Sequence, residues 1–211
     1  MNVNGSNAVQ ILLLIGGLTL VPAILFTVTG FSRILIVLGF IRTAMGTTNA
    51  PPNQVLVGIA LFLTIFVMSP TIGAIKKVAI EPLTGHQIST TQALKRAEIP
   101  MRQFMFRNTR PEDIELFINL AHDKQPKTRA EVPTEVLIPA FIVSELKTAF
   151  QIGFLVFLPF LIIDLIVSST LMSMGMIMLP PTFISLPFKV LLFVLVDGWD
   201  LVIKSLVESF H

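Results

Sequence analysis

The sequence predicts an all-α integral membrane protein with four mainly hydrophobic helical segments, some hairpin-like or kinked, and a small helical extramembrane module between the second and third. Of its 211 residues, 53% are hydrophobic and only 13% are charged, about half the charged fraction of an average soluble domain. The mean hydropathy is +0.81. The charges are concentrated, since 11 of the 15 basic and 9 of the 13 acidic residues lie from Lys76 to Lys147. We therefore divide the chain into residues 1–75, 76–137 and 138–211.

The first hydrophobic segment runs from Ala8 to Phe31, which exceeds the roughly 20 residues needed to cross a bilayer. No Lys or Arg precedes it, so its pattern is not that of a secretory signal peptide. Pro22 and Gly30 interrupt the run, and this predicts a kinked helix.

The second hydrophobic segment, Gln54 to Ile75, is uncharged and also long enough to span a bilayer. Arg33 and Arg42 are the only charges near the turn that precedes it. The positive-inside rule places that turn in the cytoplasm and the module 76–137 in the periplasm. The spacing of the two arginines puts them on opposite sides of a helix, so we expect one to face a protein partner and the other to face water.

The charged module is predicted to contain two helices. One covers Thr91–Asn108, and the next begins at a Ser/Thr-x-x-Glu capping box formed by residues 109–112 and ends near Asp123. A module of about 60 residues buries little core of its own. Phe104 and Phe117 are therefore candidates for self-association, with an ordinary helix–helix core as the alternative.

The last third of the chain has hydrophobic segments that are short or interrupted by charge. Only 16 uncharged residues separate Lys147 from Asp164, and Lys189 interrupts the following run. Charges at membrane depth are costly and normally pair or face an aqueous cavity. We expect these segments to be buried against protein, and we take four residues as candidates for buried charge pairs: Glu145, Lys189, Asp164 and Asp197.

A methionine-rich loop is predicted at residues 168–181. Met172, Met174, Met176 and Met178 alternate around Gly175. An extended backbone would place all four on one side, where flexible thioether side chains can adapt to surfaces of many shapes. The alternative is that they are lipid-facing or core methionines beside a helix break.

The sequence offers no basis for covalent or nucleotide-driven chemistry. It has no cysteine, its three histidines are isolated, and it shows neither a phosphate-binding loop nor a nucleophile elbow. A net charge of +2 is too weak and dispersed to indicate nucleic-acid binding. We expect no enzyme activity, no cofactor, no metal site and no nucleic-acid partner.

Several motifs together resemble the FliP family of flagellar export-gate proteins and its virulence type III secretion counterparts. In order along the chain they are FSRILIVLGFIRTAMGT with PPNQ, ALFLTIFVMSP, PAFIVSELKTAFQIGF, PFLIIDLI, LMSMGM and SLPFKVLLFVLVDGW. The wording of the methionine segment is closer to the flagellar branch.

The resemblance implies a homopentamer in the bacterial inner membrane, within the flagellar basal body. It would join small FliQ-like and FliR-like membrane subunits and other export apparatus proteins in a channel for unfolded flagellar substrates, in contact with membrane lipid. In such a family the methionines of the loop close the pore as a gasket; here these are Met174, Met176 and Met178, with Met172 at the edge. Burial in a ring would also make Glu145 and Lys189 ion-pair partners, within or between subunits.

Three other functions remain open from the sequence. One is an export-gate subunit of a virulence type III secretion system. Another is an ion- or proton-coupled transporter with Asp164, Glu145 and Asp197 as a relay, although no inverted repeat relates the two hydrophobic halves. The last is a passive scaffold that only anchors other components.

Overall fold

The computed structural model describes residues 16, 19, 22–121, 126–176 and 178–210, and within that part of the chain every regular element is helical. The all-α class is thus confirmed for the described residues. Most of the predicted Ala8–Phe31 segment lies outside them. The α-helices are α1 (Pro22–Val28), α2 (Phe31–Ala44), α3 (Asn53–Ile75), α4 (Glu81–Thr84), α5 (Thr90–Asn108), α6 (Pro111–Leu120), α7 (Thr134–Ser173), α8 (Pro181–Leu195) and α9 (Gly198–Glu208).

Two continuous helical stretches are long and apolar enough to cross a membrane. One is Asn53–Thr84, in which a π-helical segment, Lys76–Ile80, joins α3 to α4; the other is α7. A third span arises if α1 and α2, which are separated by a break, form one broken crossing. The helix α8 is apolar but has only 15 residues. Among the described residues, these stretches qualify as spans by their length and composition alone.

The single helix α7 corrects the expectation for the last third of the chain. Its 40 residues run unbroken through Lys147 and Asp164, where the sequence suggested short, interrupted segments. Charged residues do not stop a helix, because its backbone hydrogen bonds are internal. They need only find partners or water, and the stretch between them keeps its apolar character.

The described chain forms two compact units that do not follow the order of the sequence. The first unit contains Ala74–Val143 and the described part of Met1–Thr29, and the second contains Gly30–Gly73 and Ser144–His211. The division into residues 1–75, 76–137 and 138–211 is one by composition, and it stays a prediction.

The core of the second unit is built on the inner face of α2. Ile34, Val37, Leu38 and Ile41 recur at helical spacing and are at most 1% exposed. This spacing of three, one and three residues keeps their side chains on one side of the helix. Arg33 lies next to this apolar face and is also buried, at 2% exposed, so its charge needs a partner inside the unit.

The first unit has its own core, which includes Phe104. The Phe104 ring is 2% exposed and packs edge-to-face on Phe141 at a centroid distance of 5.9 Å. Helix α5 begins one residue before the predicted start, at a capping box in which Ser89 and Gln92 exchange hydrogen bonds. This capping box was not recognised in the sequence.

The predicted capping box at residues 109–112 is wrong. Thr109 is the C-cap of α5, and its hydroxyl donates to the carbonyl oxygen of Met105 at 2.6 Å. That hydroxyl is therefore used by the preceding helix and does not cap α6. The helix begins at Pro111, a favoured first position, and ends at Leu120, before the predicted end near Asp123. Asp123 itself lies outside the described residues.

Candidate functional site

The methionine loop is shorter than predicted, because residues 168–173 belong to the last turns of α7. Residues 168–174 include no Gly or Pro, so the helix continues to Ser173. Met172 therefore projects from a helix, and only the later methionines lie on the connection to α8. The alternating spacing suggested an extended row of four methionine side chains. Met172 is not part of such a row, because it lies on the helix.

Gly175 determines where the chain leaves α7. Its φ of +75° lies in the left-handed region, which costs other residues about 1–2 kcal/mol. The N–H of Gly175 donates to the carbonyl oxygen of Met172 at 3.0 Å, and the N–H of Met176 donates to that of Leu171 at 2.9 Å. These two bonds make a Schellman motif. The exit from the helix is thus a defined turn.

All four methionines are exposed in the isolated chain. The exposed fractions are 66% for Met172, 67% for Met174, 43% for Met176 and 95% for Met178. Buried methionine is the norm in a packed core, so these side chains do not belong to the core of their own chain. Their surfaces are available to a neighbouring subunit, to lipid or to a translocating chain.

The buried arginine of α2 pairs with Glu145 on α7. The Arg33 Nε donates to Glu145 Oε2 at 3.0 Å, and its Nη2 contacts Oε1. Both side chains are 2% exposed. This is a bidentate geometry, the strongest arrangement available to an arginine and a carboxylate. The sequence pointed to Glu145 as a buried charge, and its partner Arg33 was missed.

The C-terminal residues complete the surroundings of Arg33. Its Nη1 donates to the carbonyl oxygen of Ser209 at 2.7 Å and to Ser209 Oγ at 3.0 Å. The guanidinium carbon lies 3.9 Å from the centroid of the Phe210 ring, a cation–π contact. A Cβ at Gly30 would lie 2.5 Å from two atoms of that ring. The absence of a side chain at Gly30 therefore lets Phe210 approach.

A second ion pair joins α7 to α8. Lys189 Nζ donates to Asp164 Oδ2 at 2.6 Å, and Ser185 Oγ donates to Asp164 Oδ1 at 2.6 Å. Lys189 is nearly buried, whereas the Asp164 side chain is 26% exposed. The expected pair of Glu145 with Lys189 is thus corrected within the chain, because each group already has another partner.

Asp197 is not a buried charge. It is exposed at the N-terminus of α9 with a φ of 51°, a conformation that Asp tolerates better than most residues. The prediction of a buried role for Asp197 is therefore wrong for the isolated chain.

The two candidates for self-association differ in burial. Phe104 is enclosed in the first unit by Phe141, so the alternative of an ordinary helix–helix core describes it better. Phe117 on α6 is half-buried and keeps an accessible surface. Contact with another copy stays a prediction for Phe117 alone.

The partner of Glu145 was difficult to find in the sequence for a physical reason. An arginine on an apolar helix indicates that a partner is needed, but spacing does not specify which acid, and these two residues are 112 positions apart. Ser185 and Phe210 carry no such signal. Among the residues that the structure describes, no group of three His, Cys, Asp or Glu side chains is arranged to hold a metal ion.

Comparison with known proteins agrees with the motifs. A model of the FliP family matches residues 14–206. The chain is 54% identical over 207 residues to the flagellar biosynthetic protein FliP of Bacillus subtilis (strain 168), covering 98% of this chain and 94% of the relative.

Two further relatives carry the same name. The protein of Pectobacterium carotovorum subsp. carotovorum is 54% identical over 204 residues, covering 97% of this chain and 79% of the relative. That of Buchnera aphidicola subsp. Acyrthosiphon pisum (strain APS) is 52% identical over 203 residues, covering 96% of this chain and 54% of the relative, so the chain spans about half the length of that protein. The resemblance seen in the sequence is confirmed: the chain belongs to the FliP family.

Proposed function

We propose that this chain is a core subunit of the flagellar type III protein export gate. It is an inner-membrane component of the flagellar basal body that forms, with partner subunits, a channel for unfolded flagellar proteins. The family match over residues 14–206 supports flagellar biosynthesis as the process. The two span-length helical stretches support a location in the membrane.

The observation that carries the gate is the exposure of the methionine loop at a fixed turn. Met174, Met176 and Met178 are 43% to 95% exposed beside the Schellman turn at Gly175. Methionines from five copies that meet on an axis would exclude ions, because a narrow apolar constriction blocks conduction by dewetting. Their unbranched side chains yield to an arriving polypeptide and close around it.

The partners we propose are four further copies of this chain, FliQ-like and FliR-like membrane subunits, and the other proteins of the export apparatus. Exposed apolar residues support lateral partners: Phe62, Phe66 and Phe154 are between 59% and 77% exposed. Lipid covers some of this surface, and neighbouring subunits cover the rest. The expected mass on native mass spectrometry is that of a pentamer with the smaller subunits attached.

A proton-coupled transporter has lost its main support. The relay would need Glu145, Asp164 and Asp197 to share a path, but Glu145 contacts Arg33, and Asp164 contacts Lys189. The third acid is exposed on its own turn. These three carboxylates therefore have three separate environments, and the gate is the function that the geometry favours.

The gasket is tested by replacing Met174, Met176 and Met178 together with alanine. We expect the assembled complex in planar bilayers to conduct small ions at rest, because alanine leaves the constriction wide. Met101→Ala, a methionine on α5 outside the loop, is the matched control. Equal ion tightness in the triple variant, with assembly intact, would exclude the gasket.

A further inference from the structure

We propose that Asp164, Ser185 and Lys189 are positioning residues for the methionine loop. Their ion pair and hydrogen bond connect α7 to α8, and we call this connection the tie. It lies at similar distances from the two ends of the loop, and so it determines the position of the loop relative to the two helices. This inference rests on the proposed function only in taking the loop to be the gate. The tie itself is an arrangement within the second unit.

The tie holds α8 at two points. Asp164 accepts from Lys189 with one carboxylate oxygen and from Ser185 with the other, both at 2.6 Å. Ser185 and Lys189 are four residues apart on α8 and lie on one face. Two contacts along a helix restrain its rotation about its own axis as well as its distance from α7. A single ion pair would restrain that rotation less.

The tie is placed where it can act on the loop. Asp164 is nine residues before the last residue of α7, and Lys189 is eight residues after the first residue of α8. At about 1.5 Å per residue these are about 14 Å and about 12 Å of helix. The helical segments between the tie and the loop are therefore nearly equal in length. We call these segments, residues 164–173 of α7 and 181–189 of α8, the two arms.

Packing between these arms is incomplete. An apolar groove of about 450 Å³ lies between them. Its lining residues are Ile163, Ile166, Val167, Thr170, Leu171, Ile184 and Phe188. Where close packing is absent, side-chain contacts restrain the separation of two helices less strongly. The polar tie then contributes a larger share of the interactions that hold the two arms together.

The ends of the loop are defined, so movement of the arms reaches the methionines. Gly175 ends α7 in a Schellman turn, and Pro181 starts α8 with Pro180 as its N-cap. The two Schellman hydrogen bonds define the exit from α7, and the restricted φ of the two prolines defines the entry into α8. A change in arm separation is therefore transmitted to Met174, Met176 and Met178.

A distance measurement on the full chain tests the tie without assuming the gate. The chain has no cysteine, so spin labels at Thr170→Cys and Ile184→Cys report the separation of the arms by pulsed electron resonance. We expect Asp164→Asn to broaden the distance distribution, because the amide attracts the Lys189 ammonium weakly. Ser185→Ala should broaden it less. Asp200→Asn, an exposed acid on α9, is the matched control and should leave it unchanged.

The charge swap Asp164→Lys with Lys189→Asp keeps the attraction and should narrow the distribution again. It and Ser185→Ala also carry the test if Asp164→Asn does not fold. An unchanged distribution in both Asp164→Asn and Ser185→Ala would overturn the tie, whatever the loop does.

Ion flux through the assembled complex then tests the link to the gate. Asp164→Asn should leak with all methionines present, and the charge swap should reduce the leak. A broadened distribution without leak, in a system where the triple methionine variant does leak, would overturn the positioning role. If the triple methionine variant is itself tight, it is the gasket that fails, and the distance measurement still decides the tie.

Discussion

The two ion pairs of the second unit use the same chemistry in different settings. Arg33 and Glu145 are both 2% exposed, and the arginine makes further bonds to Ser209 and a ring contact to Phe210. In the other pair Lys189 is 4% exposed, but Asp164 is 26% exposed and depends on one hydroxyl for additional support. One pair is enclosed by the core, and the other lies at the edge of an incompletely packed hairpin.

The difference shows that burial determines how costly each ion pair is to break. A fully enclosed pair is costly to break, because removal of one partner strands a charge away from water. A partly exposed pair can be weakened at smaller cost, since water compensates the carboxylate. The enclosed pair therefore suits a permanent attachment, and the partly exposed pair suits the positioning role that we propose for it at the methionine loop.

The largest expected effect is from Glu145→Ala. It leaves the Arg33 guanidinium buried without its carboxylate, which should lower the free energy of unfolding by about 3–5 kcal/mol. Chemical denaturation of the detergent-solubilised chain measures it. Replacing both partners with methionine is the control and should lose less. If Glu145→Ala lowers the free energy of unfolding by less than Asp164→Asn does, the enclosed pair is not the more costly of the two to break.

Gly30→Ala tests the enclosure itself. Its added Cβ would lie 2.5 Å from the Phe210 ring, and overpacking of this kind typically costs about 1–3 kcal/mol. Gly39→Ala, on α2 with no atom within 4 Å of its added Cβ, is the control and should not destabilise the chain. Thermal unfolding of both variants should separate them, and similar midpoints would mean that Phe210 moves aside freely.

Asp164→Asn should destabilise the chain less than either change. The amide still accepts from Ser185, but the interaction with the Lys189 ammonium weakens, at about 1–2 kcal/mol once exposure of the carboxylate is considered. The same denaturation assay applies. If the loss equals that of Glu145→Ala, then the Asp164 pair is as enclosed in solution as the Arg33 pair.

The smallest expected effect is from Phe210→Leu. It keeps an apolar side chain at the position but removes the ring beside Arg33, so we expect a loss of about 1 kcal/mol from the cation–π contact. Repeating the change in the Arg33→Met background is the control, where the loss should vanish. A loss of equal size in both backgrounds would assign the effect to packing.

The sequence was most informative where structure is local. The span predicted from Gln54 to Ile75 corresponds to α3, Asn53–Ile75, and the predicted Thr91–Asn108 differs from α5 by one residue. Apolar runs and propensity act over a few turns, and both are visible in the printed order of residues.

The sequence was least informative where partners are distant. It indicated Glu145, Asp164 and Lys189 as charges in an apolar setting, but the expected pair of Glu145 with Lys189 does not form within the chain. Which groups meet depends on how helices pack, and spacing does not encode this. The same missing information made the charged positions of α7 look like breaks, because a charge whose partner is unknown looks like a barrier to a long helix.

The unbroken course of α7 makes it longer than a membrane crossing requires. Forty residues of helix measure about 60 Å, twice the roughly 30 Å thickness of the hydrocarbon layer. A crossing of the bilayer would therefore account for only about half of α7.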